Sequence, residues 1–303
     1  MTRFQYFKLN VFKMLSLFVL MALFSLVPIL SWADSSRLDR IIQRGELLIG
    51  TRERALPFSA MDEAGRFTGF SVDIARMIAD GFGAIIGKKI SPKFSVVTAT
   101  NRFSKVLSGD VDLVCGLTTV TLEREKIVDF SLPFFVDGTR ILVNAGARRL
   151  RLNDLSGKLI GVVANTTTAK IVSKATSGVT FRNFTNLESA MSAFEAGELF
   201  GVANIGVTLA AKRSQLGGAL TMDLVPQKYS LREEVLACIL PPNDSRFRDL
   251  VNQVLFQSFE GVEELSGDYS EIYFRWFGVN SQTKFPMTEY HQDLMKSSRI
   301  WLE

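Results

Sequence analysis

The chain has 303 residues, 35 basic and 31 acidic side chains, a 47% hydrophobic composition, two cysteines and one histidine, enough for one large domain or two ordinary ones. The basic excess sits at the start: residues 1–33 hold Arg3, Lys8 and Lys13 and no acid, so 32 basic residues face 31 acidic ones beyond them. That near-neutral remainder gives no reason to expect nucleic acid, which needs a clustered basic face, and a lone histidine, His291, argues against a Ser-His-Asp triad, a His-based metal site or a Cys-His pair.

Arg3, Lys8 and Lys13 precede an uncharged run from Met14 to Leu30, and Ser31-Trp32-Ala33 puts small residues where a signal peptidase reads. Residues 1–33 are therefore expected to be a secretion signal cleaved near Ala33, with a membrane anchor as the alternative. No cysteine in that stretch could carry a lipid. In an exported chain, Cys115 and Cys238 suggest one disulfide, two buried thiols being the other reading.

After the leader, Ser35-Ser36 caps an amphipathic stretch, Arg37 to Arg44, that Gly45 stops. A strand, Glu46 to Thr51, follows directly. Phe67-Thr68-Gly69-Phe70 leads into a helix pattern on Val72, Ile74, Met77 and Ile78. Then come a strand from Lys93 to Val97, a helix from Arg102 to Ser108 and a strand from Val111 to Cys115, which ends in a hydroxyl-rich turn presenting Arg124. A longer strand, Thr139 to Asn144, opens a second alternation. Its strands are predicted at Leu159 to Val163, Thr180 to Phe184 and Leu199 to Ala203. Its helices are predicted at Thr167 to Ala175, Leu187 to Ala196 and Ile205 to Lys212. An extended run from Glu233 to Leu240 ends at Pro241-Pro242, and helices from Ser245 to Phe259 and Val262 to Phe277 close the regular part. Alternating strands and helices imply crossover connections and mainly parallel sheets; two such halves joined by two extended segments imply two lobes.

An ordered series of short motifs runs through these elements. It begins with Ile49-Gly50-Thr51-Arg52, Pro57-Phe58-Ser59 and Gly69-Phe70-Ser71-Val72-Asp73-Ile74. It continues with Asn101-Arg102, Cys115-Gly116 with Thr118-Thr119 and Glu123-Arg124, then Asp129-Phe130-Ser131 with Pro133-Phe134. Leu155 with Gly157-Lys158, Glu195-Ala196-Gly197, Cys238 and Arg275-Trp276-Phe277 complete it. In this order the chain, from residue 37 to 279, resembles the periplasmic solute-binding proteins that feed polar amino acids to ABC importers. It is most similar to their glutamate/aspartate-binding branch, with which it shares Arg52, Asn101-Arg102 and both cysteines.

The resemblance implies an α/β, two-lobed periplasmic binding protein fold of type II. Lobe one would comprise 34–142 and 238–303, lobe two 143–237, and two crossing segments would form the hinge. It implies a monomer that holds a small ligand between the lobes, partners the membrane permease of an importer, and needs no cofactor or metal.

Arg124 is the expected carboxylate ligand, because a planar guanidinium fork holds both oxygens at once. Thr118 and Thr119 are expected to supply donors, and Arg52 and Arg102 are candidates for a second carboxylate. Phe58 is expected over the ligand's apolar stem, with a place in the core, common for a phenylalanine after proline, as the other reading. Thr167 and Thr168, with Thr166, open a lobe-two helix whose free N–H groups attract an anion. Three departures from the family pattern bear on the ligand. Leu117 stands where a small polar residue is expected, and Asn204 where members that grip an α-amino group carry aspartate. The branch's lobe-two histidine has no counterpart near Leu187. A dicarboxylate without the amine is therefore the alternative ligand, and a periplasmic dehydratase on the same fold the alternative function, though that needs an acid or base beside the ligand.

Overall fold

The computed structural model describes residues 36–144, 150–216 and 222–300; the expected signal segment, 1–33, lies outside them. Among the described residues no helix is long and apolar enough to cross a membrane.

Two sheets carry the architecture. The first is built from β1 (Glu46–Thr51), β5 (Ser91–Val96), β6 (Leu113–Val114), β7 (Asp129–Phe130) and β14 (Ile239–Leu240), in the order β5-β1-β6-β14-β7. β1 pairs in parallel with β5 and β6, whereas β14 runs antiparallel to both its neighbours. β1 is buried over Ile49, Gly50 and Thr51, and at Gly50 a Cβ would lie 2.7 Å from Val114 and 2.8 Å from Val97. Only hydrogen fits where the strand passes beneath its neighbours. A three-stranded antiparallel patch, β2 (Arg54–Ala55), β3 (Ser59–Met61) and β4 (Phe67–Thr68), lies beside this sheet in the chain and was not expected from the sequence.

The second sheet contains β8 (Phe135–Asn144), β9 (Leu159–Val163), β10 (Thr180–Phe184), β11 (Gly201–Ile205) and β12 (Met222–Val225), in the order β10-β9-β11-β8-β12. β9 is parallel to β10 and β11; β8 is antiparallel to β11 and β12. Both sheets are thus mixed: the crossover units form a parallel block as expected, and one strand in each sheet, β14 and β8, runs antiparallel to both its neighbours.

β8 joins the two halves. Phe135–Gly138 pair with β13 (Glu233–Leu236), and from Thr139 onward the same strand pairs with β11 and β12. Where the chain re-enters the first sheet, Cys115 and Cys238 form a disulfide with Cα atoms 4.3 Å apart, closing a separation of 123 residues.

Several boundaries differ from expectation. β11 begins at Gly201 rather than Leu199 and runs through Ile205, because its antiparallel register with β8 extends from Gly201 opposite Val143 to Ile205 opposite Thr139. The last expected helix is Gly267–Phe277 rather than starting at Val262. Gly267 has φ +83°, and a Cβ there would lie 2.3 Å from the Glu260 carbonyl, so the chain turns sharply before the helix starts. A tail helix, Glu289–Ile300, had no expected counterpart.

The first half's core is aromatic. Phe70, Phe135, Tyr269, Tyr273 and Phe277 interlock with ring centroids 5.0 to 6.1 Å apart, mostly edge-on or tilted as ring quadrupoles favour. His291 on the tail helix is buried in this cluster, 5.0 Å from Phe135, and hydrogen-bonds the Tyr269 hydroxyl at 2.5 Å. Burial pushes its pKa down to about 3, so it is neutral at physiological pH. The lone histidine is a seal on the core.

Candidate functional site

A cavity of about 520 Å³ is lined from the first half by Arg52, Arg102, Leu117, Thr119 and Arg124 and from the second by Thr167, Thr168 and Asn204, among others. Its size suits a small metabolite. Each guanidinium reaches it from the end of a short element. Arg52 follows β1, Arg102 begins the helix Arg102–Ser108, and Arg124 lies in the single turn Leu122–Glu125 capped by the Thr121 hydroxyl.

The three arginines are held by carbonyls rather than by acids. Arg52 Nη2 donates to the Leu117 carbonyl at 3.2 Å, Arg102 Nη1 to Ala99 and Arg124 Nη1 to Thr119. The Phe103 ring lies 4.8 Å from the Arg102 guanidinium and 5.4 Å from that of Arg124, a cation–π brace for two like charges. Among the described residues none of the three forms an ion pair, and Arg102 Nε is buried without a partner.

Electrostatics expresses the same deficit. Burial, then the charges of Arg52 and Arg124, push Arg102 down to about 8. Arg52 falls to about 10 through burial and the charge of Arg124, with Glu188 acting in the opposite sense. Arg124 is lowered by burial, against the raising influence of Glu234 and Glu123. Guanidinium remains the cation at neutral pH; burial is the largest cause of all three shifts, mutual repulsion adds to it at Arg52 and Arg102, and an anion in the cavity offsets both.

The second half contributes hydroxyls. Thr166 caps the helix Thr167–Ala175, its Oγ1 accepting from Ala169 N–H at 3.3 Å. That leaves Thr167 free to turn elsewhere, and its hydroxyl lies 3.0 Å from that of Thr119. Thr168 is buried on the cavity wall. Asn204 also faces the cavity, but its Oδ1 accepts from the Ile205 N–H at 2.8 Å. Lys170 of the helix Thr167–Ala175 and Glu123, next to Arg124 in the chain, form an exposed ion pair at 2.8 Å.

Two expected site residues lie elsewhere. Phe58 does not line the cavity: it is fully buried against Phe70, Phe135 and Phe277, because the chain around Gly69 packs directly on its carbonyl. Thr118 is also buried away from the cavity. Along the extended turn Leu117 and Thr119 point inward, so Thr118 points the other way, and its carbonyl accepts from Ala237 N–H at 3.2 Å, tying the turn to the returning strand.

The sequence reading missed Glu234. It is 1% exposed on β13, and its carboxylate accepts from Thr119 at 2.6 Å and from Thr167 and Thr139. The signal was available: Glu234, Leu236 and Cys238 alternate along one extended run, and such residues share a face.

The family model of the bacterial extracellular solute-binding proteins, family 3, matches residues 47–279, and the chain belongs to that family. Its fold is the type II periplasmic binding protein fold, α/β with mixed sheets in two lobes. The glutamate/aspartate import solute-binding protein of Salmonella typhimurium is 28% identical over 250 residues, covering 81% of this chain and 80% of its own. The L-glutamate/L-aspartate-binding protein of Pseudomonas aeruginosa is 27% identical over 301 residues, covering 94% and 95%. Among solved structures, an ancestral arginine-binding protein bound to arginine superposes with a TM-score of 0.67 at 30% identity, covering 78% of this chain and 99% of its own. An ancestral amino acid-binding protein that is a precursor of cyclohexadienyl dehydratase gives 0.68 at 25% identity, covering 80% and 99%.

Proposed function

We propose that the chain is the periplasmic solute-binding component of an ABC importer, and that it takes a small acidic amino acid of the glutamate/aspartate kind into the cavity and delivers it to a membrane permease. The observation that carries this reading is the set of three arginines, Arg52, Arg102 and Arg124, converging on one cavity with no carboxylate paired to any of them among the described residues. Three converging cations match a ligand with two carboxylates, and the relatives named for glutamate and aspartate point the same way. Thr119, Thr167, Thr168 and Asn204 are the polar groups that would complete its coordination.

The reading includes export through a signal at residues 1–33 and monomeric operation. It takes 34–142 with 238–303 as lobe one, 143–237 as lobe two, and β8 with β13 as the crossing segments about which they close. A ligand that touches both walls favours closure by its differential affinity for the closed form. For turnover, an acid or base must reach the ligand. Glu53 is the one acid among the described lining residues, and His291 is sealed in the core, which supports binding over dehydration. A dicarboxylate without the amine is the second reading, favoured by Asn204, whose amide supplies no charge to oppose an ammonium and already accepts one bond from the Ile205 N–H.

Isothermal titration of the purified protein with glutamate, aspartate, glutamine and 2-oxoglutarate tests this. Saturable 1:1 binding of glutamate or aspartate is expected. Failure of every carboxylate to bind, or chemical conversion of any of them, defeats the reading.

A further inference from the structure

Glu234 is a buried charge that does not line the cavity. It is 1% exposed on β13, one of the two crossing segments. Its carboxylate accepts from three hydroxyls that belong to different parts of the molecule. Thr119, at 2.6 Å, lies in the turn after β6 of lobe one; Thr139 lies on β8, the other crossing segment; Thr167 opens a helix of lobe two. The first two are tied to the hinge. Val120 N–H donates to the Val235 carbonyl at 2.9 Å and Thr119 bridges Leu236, which fastens the turn to β13. Thr139 follows Gly138, where β8 pairs with β13. Thr167 instead travels with the second sheet, because its helix packs on β9 and β11.

The same turn and helix meet again at the surface. Lys170, one helical turn from Thr167, pairs with Glu123, four residues from Thr119, at 2.8 Å. Neither of these two lines the cavity. Every partner in these contacts is a protein group, so the contacts favour approach of the lobes independently of any ligand. Their weights are unequal. The exposed pair is screened by salt and contributes little, whereas the bond from Thr167 to Glu234 is charge-assisted and buried. Opening exchanges that hydroxyl for water. Apparent affinity scales with the fraction of protein already competent to bind, so a bond that raises the closed fraction tightens binding without touching the ligand.

We propose that Glu234 is a latch between the lobes: by holding Thr167 to the hinge it keeps a fraction of the protein closed ahead of the ligand and slows the ligand's release. This rests on the division into two lobes that close about β8 and β13. Glu234 acts through Thr167 and is a positioning residue.

Small-angle X-ray scattering of the ligand-free protein tests the latch apart from any ligand contact. Glu234→Gln removes the charge and leaves one acceptor oxygen for three hydroxyls; Thr167→Val keeps shape and loses the interlobe donor. Both variants are expected to show a larger radius of gyration than the unaltered protein, with Thr167→Ser returning to the compact value. The tighter-binding of L-glutamate and L-aspartate should leave Glu234→Gln at least about fivefold faster in stopped-flow measurements, and saturation with it should bring variant and unaltered protein to the same radius. Unchanged ligand-free radii, or unchanged release from Glu234→Gln, overturn the proposal. A radius that stays larger in the saturated variant means an altered lobe rather than altered closure, and overturns it too. If Glu234→Gln does not fold, Thr167→Val and Thr167→Ser decide by their ligand-free radii. Failure of every carboxylate to bind defeats the acidic-ligand reading and leaves the latch to be judged by those radii alone.

Discussion

The two walls of the cavity are built on opposite terms. The lobe-one wall carries three guanidiniums held to carbonyls and to the Phe103 ring, charged and unpaired. The lobe-two wall carries threonines and an amide, neutral side chains that bond within their own elements at Thr166 and Asn204 and to Glu234 at Thr167. Lobe one is also the braced lobe, with the Cys115–Cys238 disulfide next to the site turn and an aromatic core beneath it, whereas lobe two has no cysteine. Long-range attraction for an anion belongs to the first wall; the second adds short hydrogen bonds only when the lobes are near. The division implies that lobe one captures and lobe two retains.

Arg124→Ala should show this most strongly. Removing one guanidinium of a charge-assisted, partly buried contact costs about 2 to 5 kcal/mol, so affinity for the preferred acidic ligand should fall at least about thirtyfold. Folding should be unaffected, since Arg124 is only half-buried. Unchanged affinity by calorimetry would take Arg124 out of the carboxylate site and leave capture to Arg52 and Arg102.

The bracing of lobe one should fail in acid. The His291 pKa is lowered from 6.5 to about 3 in the folded protein, so the unfolded chain binds the proton more readily. Its contribution is fully present above 6.5 and is lost as pH falls toward 3, by at most about 5 kcal/mol. Asp137, raised to about 6 by burial, acts with the opposite sign: its contribution is complete below 3.8 and is lost as pH rises through 6. The histidine's share is therefore the difference between the stability–pH profiles of the native protein and His291→Phe, measured by urea unfolding. The native profile should be the steeper between pH 6.5 and 3; parallel profiles would contradict it.

Alternation of strand and helix was readable, and β1, β9, β10 and the helices Arg102–Ser108 and Thr167–Ala175 lie where the periodicity places them. The misses have separate physical causes. β2, β3, β4 and β12 are two to four residues long, too short to show a period. Gly267 sets a helix start through a positive φ that hydrophobicity does not report. Arg52, Arg102 and Arg124 were legible as a group only through resemblance, because nothing in an isolated arginine says that it lacks a partner. Phe58 was misread since a phenylalanine beside a proline looks the same whether it meets a ligand or other rings. Glu234 was overlooked although its alternation with Leu236 and Cys238 marked it as buried, and a buried carboxylate implies donors arranged to receive it.

Arg102 separates binding from stability. It is 2% exposed, has one unpartnered nitrogen and is repelled by two other arginines. A buried charge of this kind is tolerated for function and costs the empty protein stability. Arg102→Met keeps the apolar stem and removes the charge. It should raise the melting temperature of the ligand-free protein by about 2 to 4 °C, as a gain of about 1 kcal/mol does at this size, while weakening the acidic ligand. A lowered melting temperature would mean that the three cations are compensated within the protein, and the capture wall would lose its distinguishing feature.

Thr168→Val probes the retaining wall and should have the smallest effect. Thr168 is buried, lines the cavity and brings no charge, and valine matches its shape. The loss is one neutral hydrogen bond, about 0.5 to 1.5 kcal/mol, or roughly two- to tenfold in affinity. Where that loss falls in time is the sharper measurement. A residue of the wall that arrives last contributes after encounter, so stopped-flow binding should show the dissociation rate raised and the association rate nearly unchanged. Arg124→Ala should lower the association rate as well, because the lobe-one charges steer the anion in. If Thr168→Val slows association as much as Arg124→Ala does, both walls act at encounter, and capture cannot be assigned to lobe one alone.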